Sequence, residues 1–372
     1  MCTPYYIKQM TTIRHHRPTK LSENGFSLDY NRFVEDLSGA QYALGVLQGS
    51  QKKLHNPSLL ISPLTAKEAT VSSRIEGTQS TVSDVFLHEA GGAVRHSDVQ
   101  QVANYRKAMR YVVDEIRKGR SLSTSVIKTL HHVLLSGVRH KGTIGTFRDK
   151  PVWIAEKEGD PIEKAIYIPP EHYFVQDYMD DLLTFIHRKD LNMLVRAGIA
   201  HYQFEAVHPF EDGNGRVGRL LIPLVLCYGG KLSEPILYLS GYFDAHREEY
   251  INALHQVDKD GDYGSWLSFF LRCVAGQIKE TQELVEAIYA LYDKIRQDFA
   301  TMKSPYVVHF IDFLFKSPIF STAMLKQSFQ ASELTYTRLI KNFKERKLIT
   351  VMPYRRGHFK LYRFNPLLKI LS

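Results

Sequence analysis

Residues 208–219 read His-Pro-Phe-Glu-Asp-Gly-Asn-Gly-Arg-Val-Gly-Arg. His208 carries an imidazole that titrates at about 6.5 when unperturbed, so it can accept a proton at neutral pH. Asp212 can ligate magnesium, an ion that usually takes a carboxylate or two and fills its shell with substrate phosphates and water. Gly213 and Gly215 lack the Cβ atoms that would keep backbone amides away from a phosphate, and Asn214 tolerates left-handed geometry. Arg216 and Arg219 stand three apart, so on a helix they share a face, and their planar forks match phosphate oxygens. Val217 and Gly218 complete the start of that helix. The apolar run Leu220–Tyr228 continues it, so the loop feeds a helix N-terminus whose dipole attracts anions. Together these residues predict phosphate chemistry at a loop-to-helix junction.

The elements that must hold this loop read as mainly α. Helical periodicity runs over 33–48, 98–118, 123–136, 175–188, 191–206, 245–256 and 263–294. Ser62-Pro63 suits an N-cap and a first helical position, so a helix is expected from 62 to Glu76, with Gly77 as its left-handed stop. A carboxylate in that last turn opposes the helix dipole, which predicts a cationic partner elsewhere for Glu76. Val152–Ala155 and Ala165–Ile168 are β-prone runs around Gly159-Asp-Pro161, which predicts a hairpin with a long tip. Pro223 predicts a kink in the helix after the motif. His201, His15-His16 and His131-His132 lack acids at zinc spacing and read as packed, structural histidines.

From Tyr306 the texture changes. Helices over 306–315, 321–328 and 332–348 precede strands 349–354 and 359–364 around Arg355-Arg-Gly-His358, the order of a winged helix-turn-helix. Residues 316–372 hold 12 of the 48 Lys and Arg but only 2 of the 39 acids, a net +10 against −1 for the rest. That asymmetry fits either an anionic partner such as DNA or a solvated basic face. The three cysteines, Cys2, Cys227 and Cys273, are far apart, which argues against a disulfide framework and for a reducing cytoplasmic setting. The start, Met-Cys-Thr-Pro-Tyr-Tyr, has no apolar signal-peptide core, and no run is long enough to span a bilayer.

The run His208–Arg219 resembles the signature of Fic-domain proteins, which adopt the Fido fold, and agrees at every defining position. The likeness extends over roughly residues 60–275. The resemblance implies AMP transfer from ATP to a protein hydroxyl. It makes His208 the general base for an incoming Ser, Thr or Tyr hydroxyl and Asp212 the ligand of Mg2+. Gly213, Asn214, Gly215, Arg216, Val217, Gly218 and Arg219 become the nucleotide cradle, with Arg219 at the γ-phosphate. Ser72-Ser-Arg-Ile-Glu-Gly77 resembles the family's inhibitory helix, in which a Ser or Thr lies four residues before the Glu. The resemblance pairs Glu76 with Arg219, which would block the γ-phosphate. It makes the hairpin a flap on which Trp153 and Ile154 clamp an extended target segment. Tyr250 resembles the aromatic over the adenine side, with Tyr242, His246 and Asp258 as nearby candidates. Where members carry a second Tyr after it, this chain has Ile251.

The expected architecture is a mainly α Fido-fold core with a small β-hairpin flap, plus a C-terminal winged helix-turn-helix. The expected divisions are residues 1–110 with the inhibitory helix at 62–77, then the Fic core at 111–295, then the winged helix at 296–372. The expected activity is autoinhibited protein adenylyl transfer, with Mg2+ and ATP required, a protein target as partner and no membrane. Two other readings stay open: a nucleotide-responsive DNA-binding regulator, and the reverse de-AMPylation in which Glu76 would position a water. Whether the winged helix meets DNA or protein, and whether the chain forms a homodimer, also stay open.

Overall fold

The computed structural model describes residues 14–23, 26–52, 58–94, 96–157, 159–230, 232, 235–356 and 359–372. The N-terminal hexapeptide and the Gly357-His358 turn lie outside the described residues. The chain folds into α1 (Val34–Lys52), α2 (Ser58–Ile75), α3 (Val82–Glu89), α4 (Val99–Arg117) and α5 (Thr124–Leu135). The short strands β1 (Ile154–Ala155) and β2 (Ala165–Tyr167) follow. Next come α6 (Val175–Ile186), α7 (Met193–Val207), α8 (Asn214–Tyr228), α9 (Ser240–Ala245), α10 (Arg247–Asp260) and α11 (Tyr263–Asp298). The C-terminal part is α12 (Val307–Lys316), β3 (Ile319–Ser321), α13 (Thr322–Ser328), α14 (Glu333–Glu345), β4 (Ile349–Arg356), β5 (Phe359–Phe364) and α15 (Asn365–Leu371).

The apolar periodicity explains the centre of the molecule. Helix α7 is buried on nearly every side, so it must run through the core, and α8 packs along it. A helix that is apolar all round needs neighbours on every face; α6, α11 and α1 supply them. Trp266, fully buried on α11, donates its indole N–H to the Gly198 carbonyl at 2.9 Å and so pins α11 to α7. Residues 14–23 are strapped across this core. The Leu21 amide donates to Asp181 on α6 at 2.7 Å, and the His16 amide donates to the Ile168 carbonyl at 2.8 Å. No helix among the described residues is long and apolar enough to cross a membrane.

Helix α2 starts at Ser58, not at Ser62. Leu59, Leu60 and Leu64 are all buried, so apolar burial draws the helix upstream and leaves Pro63 inside it. Ser62 does not cap; its hydroxyl donates to the Lys316 carbonyl at 2.6 Å and ties α2 to the end of α12. Helix α8 begins at Asn214, six residues before the apolar run, and continues unbroken through Pro223. The hairpin is shorter than expected: Val152 and Trp153 fall outside β1, and the Ile154–Tyr167 pairing shifts register at Ala155. The Trp153 indole N–H instead donates to the Asp160 carbonyl at 2.8 Å, bracing the tip.

In the C-terminal part the antiparallel order is β3-β5-β4, with β5 in the middle. Phe310 on α12 packs edge-to-face against Phe320 of β3 and against Phe343 of α14. Helix α11 runs unbroken across residue 295 to Asp298, and α12 packs against α2. Short α3, β3 and α15 carry no strong period and were not foreseen.

Candidate active site

The site forms where α7 stops and α8 starts. Val207 ends α7, and His208 caps it with φ 48° and ψ 62°, a left-handed conformation that L-residues other than Gly seldom adopt. Gly213, with φ 76°, caps the N-terminus of α8. Between them the loop is fastened from three directions. Asn214 is buried and clasps Phe210: the Phe210 amide donates to its Oδ1 at 2.9 Å, and its Nδ2 donates back to the Phe210 carbonyl at 2.8 Å. Its side chain therefore holds the loop shut instead of reaching outward.

His131 on α5 stacks flat on Phe210, with ring centroids 3.7 Å apart. Its Nδ1 accepts from the Gly145 amide at 2.8 Å, so Nε2 carries the proton and donates to the Asp212 carbonyl at 3.0 Å. Burial keeps this ring neutral, with its pKa pulled down to about 4.

Arg148 is the third fastening. It is buried and donates to the carbonyls of His208 (2.8 Å), Val207 (3.2 Å) and Pro170 (2.6 Å). Burial lowers its pKa to about 10, so it stays charged at neutral pH. This guanidinium fixes the strained turn at His208 from behind. The imidazole of His208 is left with a buried Nδ1 that has no hydrogen-bond partner among the described residues. Burial, followed by the nearby Arg148 charge, lowers its pKa to about 4. It is neutral and able to take a proton.

The two motif arginines lie on one face of α8, and both are buried. Arg216 donates to Gln101 at 2.9 Å and stands 3.4 Å from Asp212. Arg219 donates from Nε to the Ser72 hydroxyl at 2.9 Å, and from Nη2 to the Ser72 carbonyl at 3.0 Å and to Glu76 Oε1 at 2.6 Å. The cation that the end of α2 required is therefore Arg219. Burial pushes the Glu76 carboxyl up, but Arg219 outweighs it and holds the pKa below the usual range. Burial works against the Arg219 charge too, yet Glu76 raises its pKa above normal. Glu76 lies just past the helix, and Gly77 follows with φ 92°. The same end of α2 is clamped by Arg74 on Asp244 (2.7 Å) and by Arg247 on the Ile75 carbonyl (3.3 Å).

Glycine matters most at 215 and 218. A Cβ on Gly215 would lie 2.7 Å from Glu76 Oε1, and one on Gly218 would collide with Glu205. Val217 packs wholly inside. Asp212 is 31% exposed, and its carboxylate makes long contacts to the Lys141 amide at 3.3 Å and to Arg216 at 3.4 Å. No cluster of three or more His, Cys, Asp or Glu able to hold a metal occurs among the described residues. One loosely held carboxylate beside a phosphate cradle fits magnesium, which draws much of its shell from substrate and water.

A cavity of about 170 Å³ opens between the hairpin, α7 and α10. Ile154, Ile166, Ile251 and Leu254 make it apolar, and Glu205 and Asp258 add carboxylates. Tyr250 does not line it. Its ring stacks on Phe243 (4.5 Å), and its hydroxyl meets His201 Nε2 at 2.9 Å. His201 also donates from Nδ1 to the Gly218 carbonyl, and burial lowers its pKa to about 3. It thus packs in the body as expected, and it links α7, α8 and α10. Asp258 accepts from the Tyr202 hydroxyl at 2.8 Å, while Tyr242 and His246 stack on each other at 4.1 Å. Trp153, Ile154 and Ile166 are exposed on the hairpin.

Sequence reasoning missed Arg148 and Glu205 and gave His131 no task. Glu205 has an Oε1 sealed from solvent with no hydrogen-bond partner among the described residues, and burial raises its pKa to about 7. Nothing in local sequence marks Arg148 or His131, because each acts on a loop that lies tens of residues downstream, and Glu205, three residues before His208, is marked only by its burial.

A neutral imidazole, a glycine turn and two buried arginines at a helix start, on a helical scaffold, have the chemistry to hold a phosphate. The model of the Fic/DOC family N-terminal region matches residues 34–114, and the Fic/DOC family model matches residues 121–226. The chain belongs to the Fic/DOC family. It is 27% identical over 210 residues to "Protein adenylyltransferase Fic" of Nematostella vectensis, covering 54% of this chain and 45% of that protein. It is 32% identical over 96 residues to a probable protein adenylyltransferase of Aquifex aeolicus (strain VF5), covering 26% and 28%. The matches thus span less than half of these relatives' own length. The crystal structure of a Fic family protein from Desulfovibrio desulfuricans G20 superposes with a TM-score of 0.58 at 20% identity, over 92% of this chain and 98% of that one. Fic-1 of C. elegans superposes with a TM-score of 0.54 at 20% identity, over 68% and 73%. At such identities the likeness is one of fold.

Proposed function

We propose that this chain is an autoinhibited protein adenylyltransferase that moves AMP from ATP to a Ser, Thr or Tyr hydroxyl of a target protein. The observation that carries the reading is the neutral His208, held on a strained turn beside a glycine-capped helix start with Arg216 and Arg219 buried behind it. His208 takes the proton of the target hydroxyl. The hydroxyl oxygen then attacks the α-phosphorus, and the bond from that phosphorus to the bridging oxygen breaks. Pyrophosphate leaves with the electron pair, and a phosphodiester remains on the target.

Gly215 lets the triphosphate approach the backbone beside Arg219, Gly213 and Gly218 let the turn and the helix pack closely, and Arg216 and Arg219 neutralise the phosphates. Asp212 would hold Mg2+, which when bound supplies charge neutralisation to the phosphates. The base enters the apolar cavity beside Ile251. Tyr250 acts indirectly, through His201 on the Gly218 carbonyl of α8. Ile154 and Trp153 present a hairpin edge on which an extended target segment can add a strand.

Glu76 is the brake. It and Ser72 occupy the Nε and Nη2 donors of Arg219, the edge that a γ-phosphate would use. Mass spectrometry after incubation with Mg-ATP tests the reading. A gain of one AMP per modified site, larger for Glu76→Gly than for the parent, is expected. No gain in either protein refutes it.

The C-terminal segment supports a second reading, that of a winged helix that binds DNA. Its net +10 charge and the β4–β5 hairpin beside α14 favour it. A gel shift on duplex DNA that fades steeply with salt is its signature, because counterion release drives such binding.

A further inference from the structure

A cavity of about 720 Å³ lies away from the motif, against the first half of α2. Its volume falls in the ordinary range of small-molecule sites, about 300–1,000 Å³. Four parts of the chain converge on it: the first half of α2, the end of α3, one face of α4 and the residues that close α12. On α4, positions 103, 106, 110, 114 and 117 recur at three- and four-residue spacing, so one helix face runs along the wall and α4 supplies half of the lining.

That wall is strongly cationic. Arg106, Lys107, Arg110, Arg117 and Lys316 line the cavity, opposed by Glu89 and Asp114. Both acids are already engaged, Glu89 with Arg106 at 2.6 Å and Asp114 with Arg117 at 3.5 Å. The side-chain cations of Lys107, Arg110 and Lys316 have no ion pair among the described residues. Arg106 and Arg110 stand four apart on one helix, an arrangement of like charges that costs a few tenths of a kcal/mol. Arg106 cannot swing away. It is 4% exposed, lies over the Phe86 ring at 5.0 Å and donates to the Ser62 hydroxyl at 2.9 Å. A fixed cation paired with Glu89, three uncommitted ones and an open concave volume make a receptor for negative charge.

We propose that this cavity binds a small polyanion, a molecule carrying several phosphate groups. Guanidinium and ammonium groups on facing walls recognise such a ligand jointly, Arg110 through its fork and the lysines as point charges. Helix α2 forms one wall of this receptor, carries Ser72 near its other end and leads directly into Glu76. Occupancy therefore acts on the helix that holds Arg219. The binding claim stands alone, whereas its effect on AMP transfer rests on the function proposed above.

Inorganic tripolyphosphate titrated calorimetrically into the full chain tests the binding. In Arg216→Ala, which weakens the motif cradle, the cavity event persists. In Lys107→Ala/Arg110→Ala/Lys316→Ala, whose altered side chains are exposed, that event weakens at least tenfold, while Lys107→Arg/Arg110→Lys retains it. Hydrogen exchange provides a second measurement on the unaltered protein, with tripolyphosphate slowing amides in α2 and α4. If the triple variant binds as the parent does, or if protection is confined to residues 208–219, the proposal is overturned. If binding holds but labelling never occurs in any variant, the site survives and the transferase reading fails.

Discussion

Replacing Glu76 by Gly isolates the proposed brake from the rest of the machinery. Arg219 is 4% exposed and Glu76 38%. An exposed ion pair contributes up to about 1 kcal/mol, while removing one partner of a buried pair costs about 3–5 kcal/mol. A pair with one sealed and one open partner falls between, at about 2 kcal/mol. If that energy holds the site closed, the competent fraction is about 3%, and its release raises AMP incorporation by about 30-fold. The Ser72 contacts remain and keep Arg219 in place, so the gain comes from vacating one edge of its guanidinium. The assay counts labelled AMP transferred from ATP to protein, at fixed enzyme and time. Unchanged labelling in Glu76→Gly would refute the assignment of Glu76. A rise that survives His208→Ala would show that the transfer does not use this site.

Other outcomes follow from the same contacts. Adding His208→Ala to Glu76→Gly lowers the initial labelling rate by about 10²–10⁴, the usual contribution of a general base. Arg148→Ala leaves the carbonyls of His208, Val207 and Pro170 without this donor, so thermal denaturation is expected to show a loss of about 3 kcal/mol, near 1 kcal/mol per orphaned acceptor. Glu205 titrates at about 7 in the fold against 4.5 when free. Its stabilising share is therefore complete below pH 4.5 and is lost as pH rises through 7. Glu205→Gln should match the parent's melting temperature near pH 4 and exceed it increasingly by pH 8, by at most about 3 kcal/mol in stability. A gap that is constant with pH would mean the Glu205 carboxyl is not perturbed.

How much of this could be read beforehand depended on where the cause of each feature lies. The motif was legible because its chemistry is contiguous: the turn glycines, the imidazole and the arginines lie within a few helical turns. The Glu76 pairing was legible for a different reason, since an acid at a helix C-terminus creates an electrostatic conflict that some cation must relieve. The start of α2 was misread because Ser62-Pro63 imitates a cap. Three buried leucines around it outweighed the local signal. Helix α3 was overlooked although Thr81 and Asp84 form a capping box, a pattern of Thr and Asp three apart that the sequence does display. Arg148, His131 and Glu205 could not be found in this way. Each acts on backbone or charge that only folding brings near, and a buried Arg looks in sequence like any surface one.

The left-handed backbone at His208 has a further implication. For a residue with a Cβ, that geometry costs roughly 1–2 kcal/mol, a penalty that glycine avoids. Glycine at position 208 would thus relax the turn and, on the function proposed above, abolish the proton acceptor together, giving a sturdier but inert molecule. On that reading the imidazole trades durability for reactivity at this position.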